Sequence, residues 1–280
     1  MQKRNGSYLK SFDGTKIYYE VRGDGKRKNC LVLLHGLGGD LTAWDKEVEY
    51  FNSEGLSTIA IDLRGHGLSG RSKKSEFYKF TNFARDVVEV MKKEGFKKYS
   101  LIGRCFGGMV SLFLEAKYPK SSNNLILVDT SYKPPRFVEP VVRNPYLFKI
   151  FRLITKIVPD LRLKGHVNFD NFIGTNDIDL MRIISDVLHV SLKSYLLISE
   201  NLVGYNAIDL LDKISVPTLV IEGKEDTIFP PEIAEKLKER IENSEIGYID
   251  KANHILVINN PLDLAREIER FLIKQKFISN

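Results

Sequence analysis

The chain has 280 residues, of which 43% are hydrophobic and 28% charged, enough apolar material for one large α/β domain or two modest ones. The formal net charge is +6, but the 42 Lys and Arg are interleaved with 36 Asp and Glu instead of forming a basic arm. This distribution favours a solvated basic surface and argues against nucleic-acid binding. The sequence begins without the apolar segment of a signal peptide, and no stretch approaches the ~18 apolar residues of a spanning helix. We therefore expect a cytoplasmic protein without stable membrane insertion.

The two cysteines, Cys30 and Cys105, do not suggest a disulfide framework. Cys30 opens one predicted strand and is interpreted as a small core residue. Cys105 stands where a predicted strand becomes a helix, between Gly103 and Gly107, and its setting requires a chemical explanation.

The first predicted elements form a hairpin, because the strand-like runs SYLKSF and KIYYEVR are joined by Asp13-Gly14, a strong turn signal. After the hairpin, buried strands alternate with amphipathic helices. The strands are CLVLLHG, STIAIDL, YSLIG and NLILVD; the helices are predicted over 43–54, 80–94 and 109–117. Such alternation predicts an open, mostly parallel sheet with helices on both faces.

Between residues 131 and 213 the alternation stops and only helix-like patches remain, among them PYLFKIFRLITKIV. The strand–helix pattern then resumes with a strand over 216–223, a helix over 231–241, the strand EIGYID and a helix over 262–276. An insertion of this length far exceeds an ordinary connection. We predict a core domain of residues 1–130 and 214–280, with residues 131–213 forming a helical lid over the carboxyl end of the sheet.

Five motifs follow predicted strands, at the edge where parallel sheets bind substrates. In chain order they are HGLGG, DLRGHGLSG, GRCFGG, GKEDTIFP and ANHILVINNP. Taken in this order, with the insertion before the fourth, they resemble the α/β-hydrolase superfamily, in particular its lidded esterase-like branch. The resemblance covers nearly the whole chain. It implies a mostly parallel eight-stranded sheet with helices on both faces.

The resemblance also implies a catalytic triad. Cys105 occupies the nucleophile position of the elbow, where most lidded relatives have serine, and His254 and Asp226 match the base and the acid in chain order. Asp129, after NLILV, is the rival acid. Asn253 stands where relatives commonly have glycine. The other histidines are interpreted as loop scaffold (His35, His66) or as ordinary residues of the insertion (His166, His189).

The same resemblance implies an oxyanion hole made by the backbone N–H groups of Leu37 and Phe106. Gly36, Gly38 and Arg104 are candidate substrate-binding residues. Arg104 could also lower the pKa of the thiol, or its side chain could face away. Asp62, Arg64 and Ser69 are interpreted as a structural turn.

These assignments favour a hydrolase of small to medium carboxylic esters that forms an acyl-thioester on Cys105, with a small-molecule ester as its partner. No cofactor or metal is expected, and a monomer and a homodimer are equally compatible with the sequence. Two other functions stay open: an acyltransferase or thioesterase acting on thioesters, and a hydrolase-like ligand-binding protein with little turnover. The sequence is also compatible with Cys105 as a replacement for serine.

Overall fold

The computed structural model describes residues 6–23, 29–96, 98–138 and 144–279. Within those ranges, eight strands form one sheet in the order β1-β2-β4-β3-β5-β6-β7-β8. The strands are β1 (Ser7–Lys10), β2 (Lys16–Arg22), β3 (Asn29–Leu34), β4 (Ser57–Ile61), β5 (Lys98–Arg104), β6 (Asn124–Val128), β7 (Thr218–Gly223) and β8 (Ser244–Ile249). The pairs β1–β2 and β2–β4 are antiparallel and all other neighbours are parallel. The predicted α/β class and the mostly parallel eight-stranded sheet are confirmed.

The helices surround this sheet. The α-helices are α1 (Asp45–Ser53), α2 (Phe80–Glu94), α3 (Phe106–Lys117), α4 (Pro145–Ile157), α5 (Leu180–Val190), α6 (Leu192–Val203), α7 (Pro231–Arg240), α8 (Leu256–Asn259) and α9 (Pro261–Lys274). Short 3-10 helices cover Leu41–Trp44, Ser75–Tyr78, Arg136–Val138, Phe169–Phe172 and Ile208–Lys213. None of the described helices is both long enough and apolar enough to cross a bilayer.

Two apolar cores lie on opposite faces of the sheet, because the buried strands present side chains alternately to each face. One core contains Phe83 of α2, Val110 of α3 and Leu237 of α7. The other contains Phe51 of α1 and Phe271 of α9. Helices on both faces therefore cover the continuous apolar runs that the parallel strands carry.

The parallel register brings the carboxyl ends of six strands to one edge. Leu34 of β3 pairs with Gly103 of β5, and Val128 of β6 pairs with Ile221 of β7. The loops after these strands and after β8 carry the predicted site residues, so the topology gathers them at this edge.

All described elements between β6 and β7 are helical, and their segment is held to the sheet domain by buried polar contacts. The ring of His166 lies 2.8 Å from a carboxylate oxygen of Asp62. The N–H of Val167 donates to Asp40, whose other oxygen accepts from Thr42. We call these five residues the clasp. His166, expected to be an ordinary residue of the insertion, instead joins the insertion to the DLRGHGLSG loop.

One glycine fixes how closely the helix after β5 approaches β3. A Cβ on Gly107 would lie 2.3 Å from the carbonyl oxygen of Leu34 and 2.6 Å from that of His35. Backbone atoms cannot yield as a flexible side chain can, so a side chain here must displace α3 from the sheet.

We predict that Gly107→Ala lowers the free energy of unfolding by about 3 kcal/mol, the upper part of the range for overpacking. Gly204→Ala is the matched control, because a Cβ there meets nothing within 4 Å; it should be neutral or stabilise the fold by about 0.5 kcal/mol. Urea denaturation of the two variants measures the difference, and equal unfolding midpoints would contradict the close approach.

Candidate active site

The turn between β5 and α3 holds Cys105 in a backbone conformation that residues with side chains rarely adopt, with φ 50° and ψ −114°. The Cys105 N–H donates to the carbonyl of Val128 at 2.9 Å. The Cys105 carbonyl accepts from the Thr130 hydroxyl at 2.6 Å. The end of β5 and the start of α3 are close together within the turn, since a Cβ on Gly103 would lie 2.5 Å from the carbonyl oxygen of Gly107. These contacts support the strained turn and leave the thiol partly exposed at the sheet edge.

The imidazole of His254 lies between this thiol and a carboxylate. Its Nδ1 is 2.7 Å from Oδ2 of Asp226. The other oxygen of Asp226 accepts from the N–H groups of Ile228 and Phe229, at 2.7 and 2.9 Å. The Phe229 ring meets the imidazole edge-on with centroids 5.4 Å apart. The carboxylate is thus fixed by its own loop and the ring by packing.

Electrostatics in this group favour a thiolate and an imidazolium. Burial raises the pKa of the Cys105 thiol, but the charge and hydrogen bond of His254, the charge of Arg104 and the N–H of Phe106 lower it more, so the net pKa is below 9.0. Burial lowers the pKa of His254, and the opposing effects of Cys105 and Asp226 raise it to about 10. The raised pKa keeps the ring of His254 charged near neutral pH, and the lowered pKa of Cys105 favours the thiolate form of its sulfur.

Two further carboxyl groups lie beside Asp226. Burial raises the pKa of Asp129 to about 8, and one of its oxygens accepts from the N–H of Gly223 at 3.0 Å. Burial also raises the pKa of Glu222, in β7, to about 12. Burial therefore favours the neutral form of both carboxyl groups, which limits the negative charge beside Asp226. The rival acid Asp129 is close to the site, but the imidazole nitrogen bonds to Asp226.

Arg104 turns toward the site. Its guanidinium is buried and donates to the carbonyl oxygen of His254 at 2.5 Å. A Cβ on Gly36 would lie 2.7 Å from Nη1 of Arg104, so this side chain fills the space between two loops. Its charge lowers the pKa of Cys105. Arg104 thus supports the base loop from beneath.

Asp177, in the segment between α4 and α5, joins the acid and base loops, and sequence reasoning missed it. One of its oxygens accepts from the N–H of His254 at 2.7 Å. The other accepts from the N–H and the hydroxyl of Thr227, at 2.8 and 2.7 Å. Asn253 strengthens the same connection, since its amide donates to the carbonyl of Thr175 at 3.0 Å. The asparagine that departs from the family pattern therefore has a structural role.

The HGLGG loop, which carries the oxyanion-hole candidate Leu37, lies against the elbow. The N–H of Phe106, at the start of α3, bonds to the Cys105 side chain. Gly38 has φ +85°, and a Cβ there would lie 2.8 Å from Cβ of Asp186 in α5. Gly38 thus allows the insertion to approach this loop, and the roles of Leu37 and Phe106 in binding an oxyanion stay predictions.

The remaining motif residues stabilise loops. His35 accepts from the N–H of Leu63 at its Nε2, and burial holds the pKa of this ring well below its usual range. Burial likewise lowers the pKa of His66 to about 4. Arg64 makes two bonds of 2.7 Å to Asp86. These residues shape the DLRGHGLSG turn and carry no group toward the thiol.

Two clusters offer ligand atoms within 4.8 Å of one another: Asp40, Asp62 and His166, and Asp129, Asp226 and His254. In the first, the carboxylate oxygens already accept backbone N–H groups, which accounts for it as part of the clasp. In the second, the His254 nitrogen facing the carboxylates is bonded to Asp226. Hydrogen bonds therefore account for the first cluster, whereas in the second the buried Oδ2 of Asp129 has no hydrogen-bond partner among the described residues.

The sheet order and the residues collected at its carboxyl edge define a hydrolase of the α/β-hydrolase fold. Residues 25–261 match the family model described as Serine aminopeptidase, S33, and the chain belongs to this family. It is 26% identical to epoxide hydrolase 3 of Xenopus tropicalis, over 97% of this chain and 78% of that protein. It is 24% identical to protein ABHD8 of Bos taurus, of which it spans 56%. The fold matches an esterase from Exiguobacterium antarcticum with a TM-score of 0.74 and 22% identity, covering 96% of this chain and 99% of that one.

The two thiols should differ in reactivity. Burial raises the pKa of Cys30, whereas Cys105 has a lowered pKa and is partly exposed. We expect iodoacetamide to modify Cys105 alone in the folded protein, with a rate that falls as pH decreases through a midpoint below 9.0. Mass spectrometry of digests at a series of pH values provides the rate, and His254→Gln should move the midpoint upward. An unchanged midpoint in that variant would show that His254 does not activate the thiol.

We predict that Asp177→Asn lowers kcat about tenfold with a smaller effect on KM. The asparagine retains one acceptor oxygen for two groups of donors, so one loop loses its anchor and the imidazole loses its fixed position. Asp170→Asn is the matched control because Asp170 is exposed and its side chain makes only a 3.7 Å ion pair with Lys46 among the described residues. Steady-state kinetics of both variants test the role, and equal kcat values would refute it.

Proposed function

We propose that this protein hydrolyses small to medium carboxylic esters through a Cys105–His254–Asp226 triad and an acyl-thioester on Cys105. The observation that carries the proposal is the strained elbow that presents a low-pKa thiol to an imidazole whose other nitrogen is 2.7 Å from a buried carboxylate. This arrangement is the one that nucleophilic acyl transfer needs: nucleophile, base and orienting group in hydrogen-bonding reach.

The reaction begins with attack of the Cys105 sulfur on the ester carbonyl carbon. The carbonyl π electrons move to oxygen, and the oxyanion accepts hydrogen bonds from the N–H groups of Phe106 and Leu37. The tetrahedral intermediate collapses as the C–O bond breaks and the imidazolium of His254 donates its proton to the leaving alkoxide. The products of this half-reaction are an alcohol and a thioester on Cys105.

Water completes the cycle. The imidazole, now neutral, accepts one proton from water as the hydroxide oxygen attacks the thioester carbonyl. The C–S bond then breaks, so the carboxylic acid leaves and the thiolate–imidazolium pair is restored. Asp226 holds the ring in the tautomer that directs its second nitrogen toward the sulfur.

The chemistry of the elbow favours esters over the epoxides named for one relative. Opening an epoxide by the family's covalent route uses an aspartate nucleophile, and the elbow GRCFGG has no carboxylate. The family description names an aminopeptidase, so amides are the closest rival substrates. A thiolate readily attacks an ester, whose alcohol is a better leaving group than an amine.

We infer further that residues 131–213 act as the predicted lid. Three of their side chains reach the site: Asp177 at the loops of Thr227 and His254, Asp186 at Gly38, and Tyr195. Burial, together with the charges of Asp186 and Cys105, raises the pKa of Tyr195 to about 12, which reflects the proximity of this ring to both. An insertion packed this closely limits the length of the acyl group, which supports a small to medium substrate.

The test compares wild type with Cys105→Ala on p-nitrophenyl esters from acetate to octanoate. We expect turnover by wild type and a loss of roughly a thousandfold or more in kcat/KM for the variant, with residual activity from the oxyanion hole. The panel includes an amino-acid p-nitroanilide and an acyl-CoA supplied with a competing alcohol.

Equal turnover by both proteins would rule out Cys105 as the nucleophile. Cleavage of the anilide without the esters would replace ester hydrolysis by peptidase chemistry, and transfer exceeding hydrolysis would make the protein an acyltransferase. Saturable ester binding without repeated turnover would identify a binding protein.

A further inference from the structure

Helix α4 exposes an apolar face that the described chain does not cover. Tyr146, Ile150, Leu153 and Ile157 lie at i, i+4, i+7 and i+11, and they are 81%, 55%, 60% and 75% exposed. Residues at this spacing share one side of a helix. This is an unusual surface for a helix that packs on a folded domain, because its solvent side is normally polar.

The opposite side of α4 accounts for its packing. Phe148 and Phe151 are partly buried and Thr155 is buried, so these three residues face the protein. The exposed apolar stripe is therefore additional to the packing face. Packing against the sheet domain does not explain it.

A basic row runs beside the apolar stripe. Lys149 and Lys156 are exposed and form no ion pair with any described residue, and Arg152 is 56% exposed in its pair with Glu200. Helix α4 itself contains no acidic residue. From 144 to 164 the sequence has five basic residues and one acidic one, Asp160; the basic residues are Lys149, Arg152, Lys156, Arg162 and Lys164.

Further exposed apolar side chains lie in the segments that follow α4 in the chain. The ammonium of Lys193 donates to the carbonyls of Lys156 and Val158, which places the start of α6 at the end of α4. The N–H of Leu163 donates to the carbonyl of Leu188 at 2.8 Å, which places the chain after α4 along α5. Exposed apolar side chains of this neighbouring region are Leu161, Leu163, Leu180, Met181, Ile184, Leu188 and Leu192.

The combined composition matches one kind of partner. An exposed apolar stripe such as that of α4 marks an interaction site. Apolar side chains flanked by Lys and Arg are the pattern of helices that lie in the interface of anionic lipids, where acyl chains take the apolar side and headgroups take the charges. A second copy fits less well, since a two-fold contact with antiparallel helices on this face would bring one basic row against the other.

We propose that the apolar stripe of α4, with its basic row, binds peripherally to the surface of an anionic lipid bilayer. The helix has 13 residues and is too short to span a bilayer, so it lies along the surface. The binding does not depend on the proposed ester chemistry.

Cosedimentation with vesicles tests the proposal on the full chain. The probe is phosphatidylcholine vesicles containing one-quarter phosphatidylserine, compared with pure phosphatidylcholine. We expect at least about tenfold tighter binding to the anionic vesicles, weakening as salt is raised. Two double variants should each weaken binding about tenfold or more. One replaces apolar residues of the stripe (Ile150→Gln with Leu153→Gln), and the other reverses charges of the basic row (Lys149→Glu with Lys156→Glu).

Matched controls change equivalent residues away from α4. Leu262, in α9, is 53% exposed, and Lys117 and Lys238 are exposed on α3 and α7. The control variants should bind vesicles as tightly as wild type does. They are Leu262→Gln and the double variant Lys117→Glu with Lys238→Glu. Circular dichroism and unchanged thermal unfolding midpoints show that each variant is folded.

Absence of vesicle binding by wild type, or equal loss in the α4 and control variants, would overturn the proposal. Analytical ultracentrifugation measures the oligomeric state. If wild type forms a dimer and does not bind vesicles, and the Ile150→Gln, Leu153→Gln variant is a monomer, the stripe is a homodimer interface instead. Cosedimentation measures vesicle binding without any turnover of substrate. A negative result therefore contradicts the membrane proposal alone and leaves the proposed ester hydrolysis untouched.

Discussion

The attraction between Cys105 and His254, in which each favours the charged form of the other against the cost of burial, governs the arrangement around Cys105. Burial acts against the charged form of both Cys105 and His254, and each overcomes that cost through the other. The attraction depends steeply on geometry, so the loops that hold the two groups must be rigid. The strained elbow fixes the sulfur, while Asp226 and Arg104 fix the ring and its backbone.

The insertion takes part in this rigidity. Asp177 bonds to both the acid loop and the base loop, and the clasp holds the chain near His166 and Val167 to the sheet domain. Any movement that opened the insertion at Asp177 would release the His254 N–H at the same time. One carboxylate of the insertion therefore couples the position of this segment to the order of the His254 loop.

The sheet, and the grouping of Cys105, Asp226 and His254 at its carboxyl edge, could be predicted because their signals are local. The alternation of apolar strands and amphipathic helices indicates a sheet that helices bury on both faces. Glycines mark places where two backbone segments approach closely, as α3 approaches β3 at Gly107. Asp177 could not be found in this way, since its stretch TNDID has the composition of a surface loop and its partners are 50 and 77 residues away. For Arg104, the sequence left both side-chain directions open because the strained turn alone determines them. For Glu222, the sequence offers one weak indication of a place near the site, because it is the one charged residue in the apolar run TLVIEG.

The protonation state of the His254 ring tests the charged pair most directly. Nitrogen-15 NMR of the imidazole reports whether both ring nitrogens carry protons. The account predicts a doubly protonated ring at neutral pH in wild type, and a ring that loses its proton at lower pH in Cys105→Ala, where the anion is removed. A neutral ring in wild type at neutral pH, or titration unchanged by Cys105→Ala, would contradict it.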